Sequence, residues 1–448
     1  MSELPDTLPI HDLDALRGSV TTLVALQVNP KEIEAMLVAA GAPPAARIEA
    51  LVVMGQPSDR FRIAEALSRA AEQTDLWPGL VMACRRWGVH PGSVLALETQ
   101  RPLALGKALG MDRAWIRSFP AKRRAYSNRG HWAPPRGFLG TTMPEDLVLQ
   151  ELLLCEQTFL SRLPERLDVA RKVTLDRLPK LSFLGPLPET FSGALEIRSC
   201  RSLLGLPAIK HLARLTVDDQ PWERFPAAPL EAKSVTLRRM KNLVEIDPDI
   251  KIGKLFLSLC PLLKELPHLS QFRLTTPADP DTPARSPGAR TWMPEIPARL
   301  DKLFLDACHG IRRLPSEFMV SGALTIQDCW SFEELPEGLK VLHLVLRRLP
   351  ALKRLPENLH VRGHLVLEGL ANLERLPRGL LVEGDLVLHQ MPTSVRVEEG
   401  LSVRGSIRIH PSDAGQPWPP RPKVFPALRP FSMLSPEGGG WTSGDFTQ

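Results

Sequence analysis

Three segments in the C-terminal half of the chain, NLHVRGHLVL, GLLVEGDLVL and GLSVRGSIRI, align at a spacing of 21 residues, with Gly363, Gly384 and Gly405 at the same point in each. A fixed period of this length restricts the fold to architectures that stack copies of one small unit. Upstream, apolar pairs at i and i+2 recur as Leu344/Leu346, Leu324/Ile326, Leu303/Leu305, Phe272/Leu274, Leu255/Leu257, Val235/Leu237, Leu215/Val217, Leu195/Ile197, Val173/Leu175 and Leu152/Leu154. With Leu365/Leu367, Leu386/Leu388 and Ile407/Ile409 they make thirteen units. Most units also carry a Leu-Pro eleven residues after the first paired residue, as at Leu163-Pro164, Leu206-Pro207, Leu266-Pro267, Leu314-Pro315, Leu335-Pro336, Leu355-Pro356 and Leu376-Pro377. Alternate residues of a strand point to one face, so each unit offers two side chains to a core that it is too small to bury alone. Stacking buries them and sets the strands about 4.8 Å apart in a parallel sheet. Pro after Leu forbids a helix on the return path, which is therefore expected to be extended or 3₁₀. A β-sandwich shares the alternation but requires hairpin turn signals that this period lacks.

The pattern LPxxLxVxGxLxLxxC over residues 143–410 resembles the bacterial leucine-rich repeats of about 20 to 22 residues. That resemblance implies an arc whose parallel β-sheet lines the concave face, and a family united by partner binding rather than by one activity. Cys200, Cys260, Cys308 and Cys329 fall three residues after the second apolar residue of their pair, where such repeats place Asn or Cys. They are expected to be buried, inert thiols. Some bacterial relatives of this type are ubiquitin ligases, which would require a large domain with a nucleophilic Cys beyond the repeats; the segment after residue 410 contains no Cys.

The register breaks once, where TTPADPDTPARSPGARTWMP predicts an inserted loop over 275–294, rich in Pro, Asp and Ala. Ahead of the repeats, residues 1–112 read as a small all-α domain of six short amphipathic helices separated by Pro and Gly. It is expected either to cap the first repeat or to dock independently. The complete reading is an α+β solenoid. A linker at 113–142 follows the helices; its stretch 113–137 holds seven Lys or Arg and no acid, interleaved with Trp115, Phe119, Tyr126 and Trp132. Cations with aromatic rings are what a nucleic-acid contact uses, and a basic linker packed on the first repeat is the simpler alternative. Residues 411–448, rich in Pro and Gly, are expected to cover the last repeat and then run loose.

The formal charge is only +6, from 56 basic and 50 acidic residues, so charge alone selects no partner. Six cysteines without a CxxC pair argue against a zinc framework or a disulfide scaffold. The acidic N-terminus lacks the features of a secretory signal, and no apolar run suits a membrane span. A cytoplasmic protein is expected, with export by a route that reads an unstructured N-terminus left open. No Walker loop, GxSxG, HExxH or dinucleotide fingerprint occurs, so no cofactor and no enzymatic activity are expected.

Stacking the last units aligns polar residues in two columns. His343, His364 and Asp385 precede the apolar pair; Arg347, Glu368 and His389, then His410, follow it. Imidazoles and carboxylates on adjacent strands suit a polar binding face, and less readily a metal or proton-transfer site. Between them runs a column of Phe256, Phe304, Thr325, Val345, Val366 and Val387, largely apolar on a face expected to meet solvent. The expected function is a scaffold that holds a protein or peptide on the concave face, centred on the last six repeats. A nucleic-acid adaptor using 113–137 is the alternative, and a metal enzyme at the His/Asp/Glu columns comes third.

Overall fold

A computed structural model describes residues 8–97, 102–111, 116, 131–132, 143–184, 191–206, 209, 211–225, 230–247, 250–267, 300–316, 318, 320–392 and 395–410. Seven α-helices come first: α1 (Leu13–Ala25), α2 (Pro30–Ala39), α3 (Pro44–Met54), α4 (Arg60–Ala71), α5 (Trp77–Arg86), α6 (Pro91–Leu97) and α7 (Pro102–Ala108). Six correspond to those expected, and α7 adds a seven-residue helix of about two turns. Asp12, Asn29 and Asp59 begin three of them because their side chains accept hydrogen bonds from first-turn amides that have no partner within the helix.

The rest is a parallel β-solenoid with rungs about 21 residues apart. Its main sheet has thirteen parallel strands in chain order: β1 (His131–Trp132), β2 (Val148–Cys155), β3 (Asp168–Asp176), β4 (Ala194–Arg198), β5 (His211–Asp218), β6 (Glu231–Arg238), β7 (Lys251–Ser258), β8 (Leu300–Asp306), β9 (Val320–Gln327), β10 (His343–Arg347), β11 (Leu365–Glu368), β12 (Leu386–His389) and β13 (Ile407–His410). The paired apolar residues point inward and are buried from Leu152 to Leu388, and only Ile407 and Ile409 of the last rung remain half exposed. The return path is extended, with short parallel pairings such as Lys340–Val341 on His360–Val361 and Arg224–Phe225 on Glu245–Ile246.

One expected unit is absent from the sheet. β7 pairs directly with β8, Leu255 opposite Leu303 and Leu257 opposite Leu305, so no rung stands between them. Phe272, Leu274 and the expected loop 275–294 lie outside the described residues, and β1 supplies the thirteenth strand instead.

A second ladder runs beside the sheet. The residue after each strand from β2 to β12 sits in the left-handed region, with φ between 48° and 59°, at Glu156, Arg177, Ser199, Asp219, Arg239, Leu259, Ala307, Asp328, Arg348, Gly369 and Gln390. Every one of these residues donates its N–H to the carbonyl of the last strand residue of the next rung, from Glu156 to Asp176 through to Gln390 to His410. For a residue with a Cβ this backbone costs roughly 1–2 kcal/mol. The inter-rung hydrogen bond offsets that cost, since an amide left unpaired there would also cost free energy.

The helices cover the first rungs. α4 and α6 lie on β2 and β3, and one apolar cluster runs without interruption from Ile48 and Leu67 into Leu152 and Val173. Ser93, fully buried on α6, accepts from the Val148 amide at 2.8 Å. Arg60 at the start of α4 reaches Asp146 and Asp168, each at 3.0 Å, so the amide and charge edge of the first rung is satisfied by the helical layer.

In the last rungs each strand bends at a glycine. A Cβ on Gly384 would lie 2.6 Å from the backbone of Gly363, and one on Gly405 would lie 2.5 Å from that of Gly384. Neither neighbour is a movable side-chain tip, so Gly384→Ala is expected to force rungs apart at a cost of about 1–3 kcal/mol, read as a lower urea midpoint; an unchanged midpoint would contradict this packing.

Candidate interaction face

The face of the main sheet turned away from the leucine core carries three columns of side chains, in the register that the sequence suggests for the last rungs. Val345, Val366 and Val387 are direct partners, as are Arg347, Glu368 and His389, followed by His410. What these residues do differs from expectation. Val345 is buried, 3% exposed, between His343 and Arg347 of its own strand, and Thr325 is buried beside it at 6%. Val366 and Val387 are half buried. The stripe is therefore closed to solvent at Val345 and only partly exposed at Val366 and Val387.

The histidine column is consumed by the fold. His343 Nδ1 accepts the His364 amide at 3.0 Å, His364 Nδ1 accepts the Asp385 amide at 3.0 Å, and Asp385 Oδ1 accepts the Ser406 amide at 2.8 Å. The rings of His343 and His364 stack at 5.2 Å. A backbone amide only donates, so both imidazoles carry their proton on Nε2 and cannot offer Nδ1 to a metal. Among the described residues no group of three His, Cys, Asp or Glu side chains is placed to hold a metal ion. The opposite column is likewise self-paired: Glu368 meets Arg347 at 3.0 Å, Arg348 at 3.5 Å and His389 at 3.8 Å.

The middle rungs are different. Phe256 and Phe304 face each other across β7 and β8 with centroids 6.1 Å apart and planes tilted by 40°, both half buried. Beside them the column before the apolar pair reads Arg214, Ser234, Lys254 and Lys302 on four successive rungs. Arg238 stands on the far flank. Burial, then the nearby Lys254 charge, holds Lys302 below the usual lysine range. Those cations stand in the sequence at one fixed offset, just before the apolar pair, and a unit at Phe272 would have separated Phe256 from Phe304.

Cys200, Cys260, Cys308 and Cys329 are fully buried, and their thiols point to carbonyls of their own or the preceding rung. Burial pushes the Cys200 thiol up to about 11 and that of Cys329 to about 12, so neither forms a thiolate near neutrality. No described helix is long and apolar enough to cross a membrane. Except for Ile116, His131 and Trp132, the basic segment 113–137 lies outside the described residues, as does the tail 411–448.

None of the known protein families, curated proteins or solved structures compared with the chain matches it. What the coordinates define is a parallel β-solenoid behind a small N-terminal helical region.

Burial, and secondarily His364, lowers the pKa of His343. Its unfolded value is near 6.5, so between that and the lower folded value the unfolded chain binds more protons. The stabilisation is complete above pH about 6.5 and is lost as pH falls through the folded pKa. His343→Asn keeps an acceptor at the same place, as Asp385 does two rungs further along the column, without titrating there. Its urea midpoint is expected to fall less than that of the native chain between pH 7 and pH 5; equal losses would contradict the acceptor role.

Proposed function

We propose that this chain is a non-enzymatic scaffold of the leucine-rich-repeat type that binds a protein or peptide on the outward, concave face of its sheet. The observation that carries the reading is the Phe256–Phe304 ring pair, half buried on a face whose last rungs pair their own charges. Apolar rings held at the middle of a polar surface are the usual anchors of a protein contact. His343, His364, Asp385, Arg347, Glu368 and His389 then shape and stiffen one end of the face. The rings shift the centre of binding from the last six repeats to the middle of the solenoid. Cytoplasmic location follows from the thiol content and remains part of this proposal.

Affinity capture from native extract with the wild type and Phe304→Asp in parallel tests the reading, with nuclease-treated controls. A protein retained by the wild type and depleted about tenfold or more by Phe304→Asp is the expected result, since loss of a buried aromatic anchor commonly costs 2 kcal/mol or more. Identical captures would overturn the placement.

A further inference from the structure

The cations of this face fall into two populations. Outside the middle rungs they are neutralised locally: Lys172 by Glu196 at 2.8 Å, Arg198 by Glu196 at 3.2 Å, and Arg347 by Glu368 at 3.0 Å. Arg214, Lys254, Lys302 and Arg238 have no carboxylate within 4.0 Å among the described residues. Three of them share one column, in which Arg214, Ser234, Lys254 and Lys302 are register partners in turn. The column spans three strand spacings, roughly 14 Å, and contains no acid. Gathering like charges on neighbouring strands costs the free protein electrostatic energy, which an arriving anion relieves.

We infer that Arg214, Lys254, Lys302 and Arg238, set around Phe256 and Phe304, bind an acidic peptide segment that carries an apolar side chain among its carboxylates. The inference rests on the scaffold reading and names the chemistry of its partner. Two features favour peptide over single-stranded nucleic acid. Base stacking needs open ring faces, whereas the two rings are tilted by 40° and the Lys302 ammonium sits 5.5 Å from the Phe256 centroid, over one face. The contacting rings instead present one apolar patch against which an aliphatic or aromatic side chain packs. Thr216 and Thr236, half buried and continuous with the rings along the central column, add hydroxyls that serve main-chain or carboxylate oxygens. An extended peptide presents alternate side chains every 6.6 Å or so, which sets carboxylates on both sides of an apolar residue lodged at the rings.

Fluorescence anisotropy of the full chain with three labelled probes tests this: a peptide with a Glu-Glu-Phe-Glu-Glu core, its Lys-for-Glu counterpart, and an oligouridylate. The acidic peptide is expected to bind, to weaken as salt rises, and to lose about tenfold or more in affinity on Lys254→Glu. Lys254→Met, which keeps the stem and removes the charge, should lose several-fold, and Lys233→Glu, exposed but off the column, should bind as the wild type does; matching thermal melts establish that the variants are folded. Preference for the oligouridylate, no binding of the acidic peptide, or insensitivity to Lys254→Glu each overturns the inference. If Phe304→Asp still loses its captured partner while the acidic probe fails, the acidic chemistry falls and the scaffold reading stands; if the captures are identical and the probe binds through Lys254, the reverse holds.

Discussion

Each apolar pair of this chain is buried by the pairs on the rungs before and after it, and no rung has a core of its own. Leu255 and Leu257, for example, are shielded from solvent only because Val235 and Leu237 lie on one side and Leu303 and Leu305 on the other. Burying two leucines contributes about 3–6 kcal/mol in transfer terms, against the ordering of some twenty residues, so a rung alone is unstable and the stack must be continuous. Two inter-rung devices keep it so. The left-handed turn amides from Glu156 to Gln390 tie each strand end to the next, and the His343–His364–Asp385 acceptors do the same on the other flank of the last rungs. The helical layer answers the same constraint at the first rung, where α4 and α6 cover a surface that has no preceding pair.

Along the outward face the polar groups differ in how far they are paired. Residues at the end of the solenoid spend their polar atoms on one another and on the backbone, which stiffens the rungs and leaves little to offer a ligand. The middle rungs hold two rings and four cations that no described carboxylate neutralises. A self-satisfied end beside an unsatisfied middle is the physical content of the proposed binding site, and it needs no catalytic group.

How much of this was legible in the sequence follows from what each feature depends on. Leu344/Leu346 and their counterparts were readable because burial of alternate residues writes a period-two pattern that repeats with the rung. Phe272/Leu274 has the same local pattern and misleads, because which strand pairs with which is decided by neighbours far along the chain. The turn ladder left little mark: Glu156, Arg177, Leu259 and Ala307 share its backbone conformation, and only Gly369 and, more weakly, Asp219 and Asp328 are of types that favour it. His343 and His364 were correctly aligned, yet their alignment suggested a ligand site. The donors that occupy their Nδ1 atoms are backbone amides, which a pattern of side chains does not display. Val345 points outward yet is buried, since strand direction alone does not carry how closely neighbouring side chains pack.

The adjacency of β7 and β8 underlies the ring pair, the cation column and the continuity of the stack, and it is open to a direct measurement. Ser258 and Asp306 are register partners on these strands, with Ser258 Oγ 2.8 Å from Asp306 Oδ2. The double variant Ser258→Cys, Asp306→Cys would be treated with a bimane reagent that fluoresces only when it bridges two neighbouring thiols, and the bridge located by peptide mass mapping. Rapid bridging of these two positions is the predicted result. An intervening rung at Phe272–Leu274 would hold the sulfurs about two strand spacings apart, roughly 9.6 Å, and failure of the bridge to form in the folded protein would contradict the account.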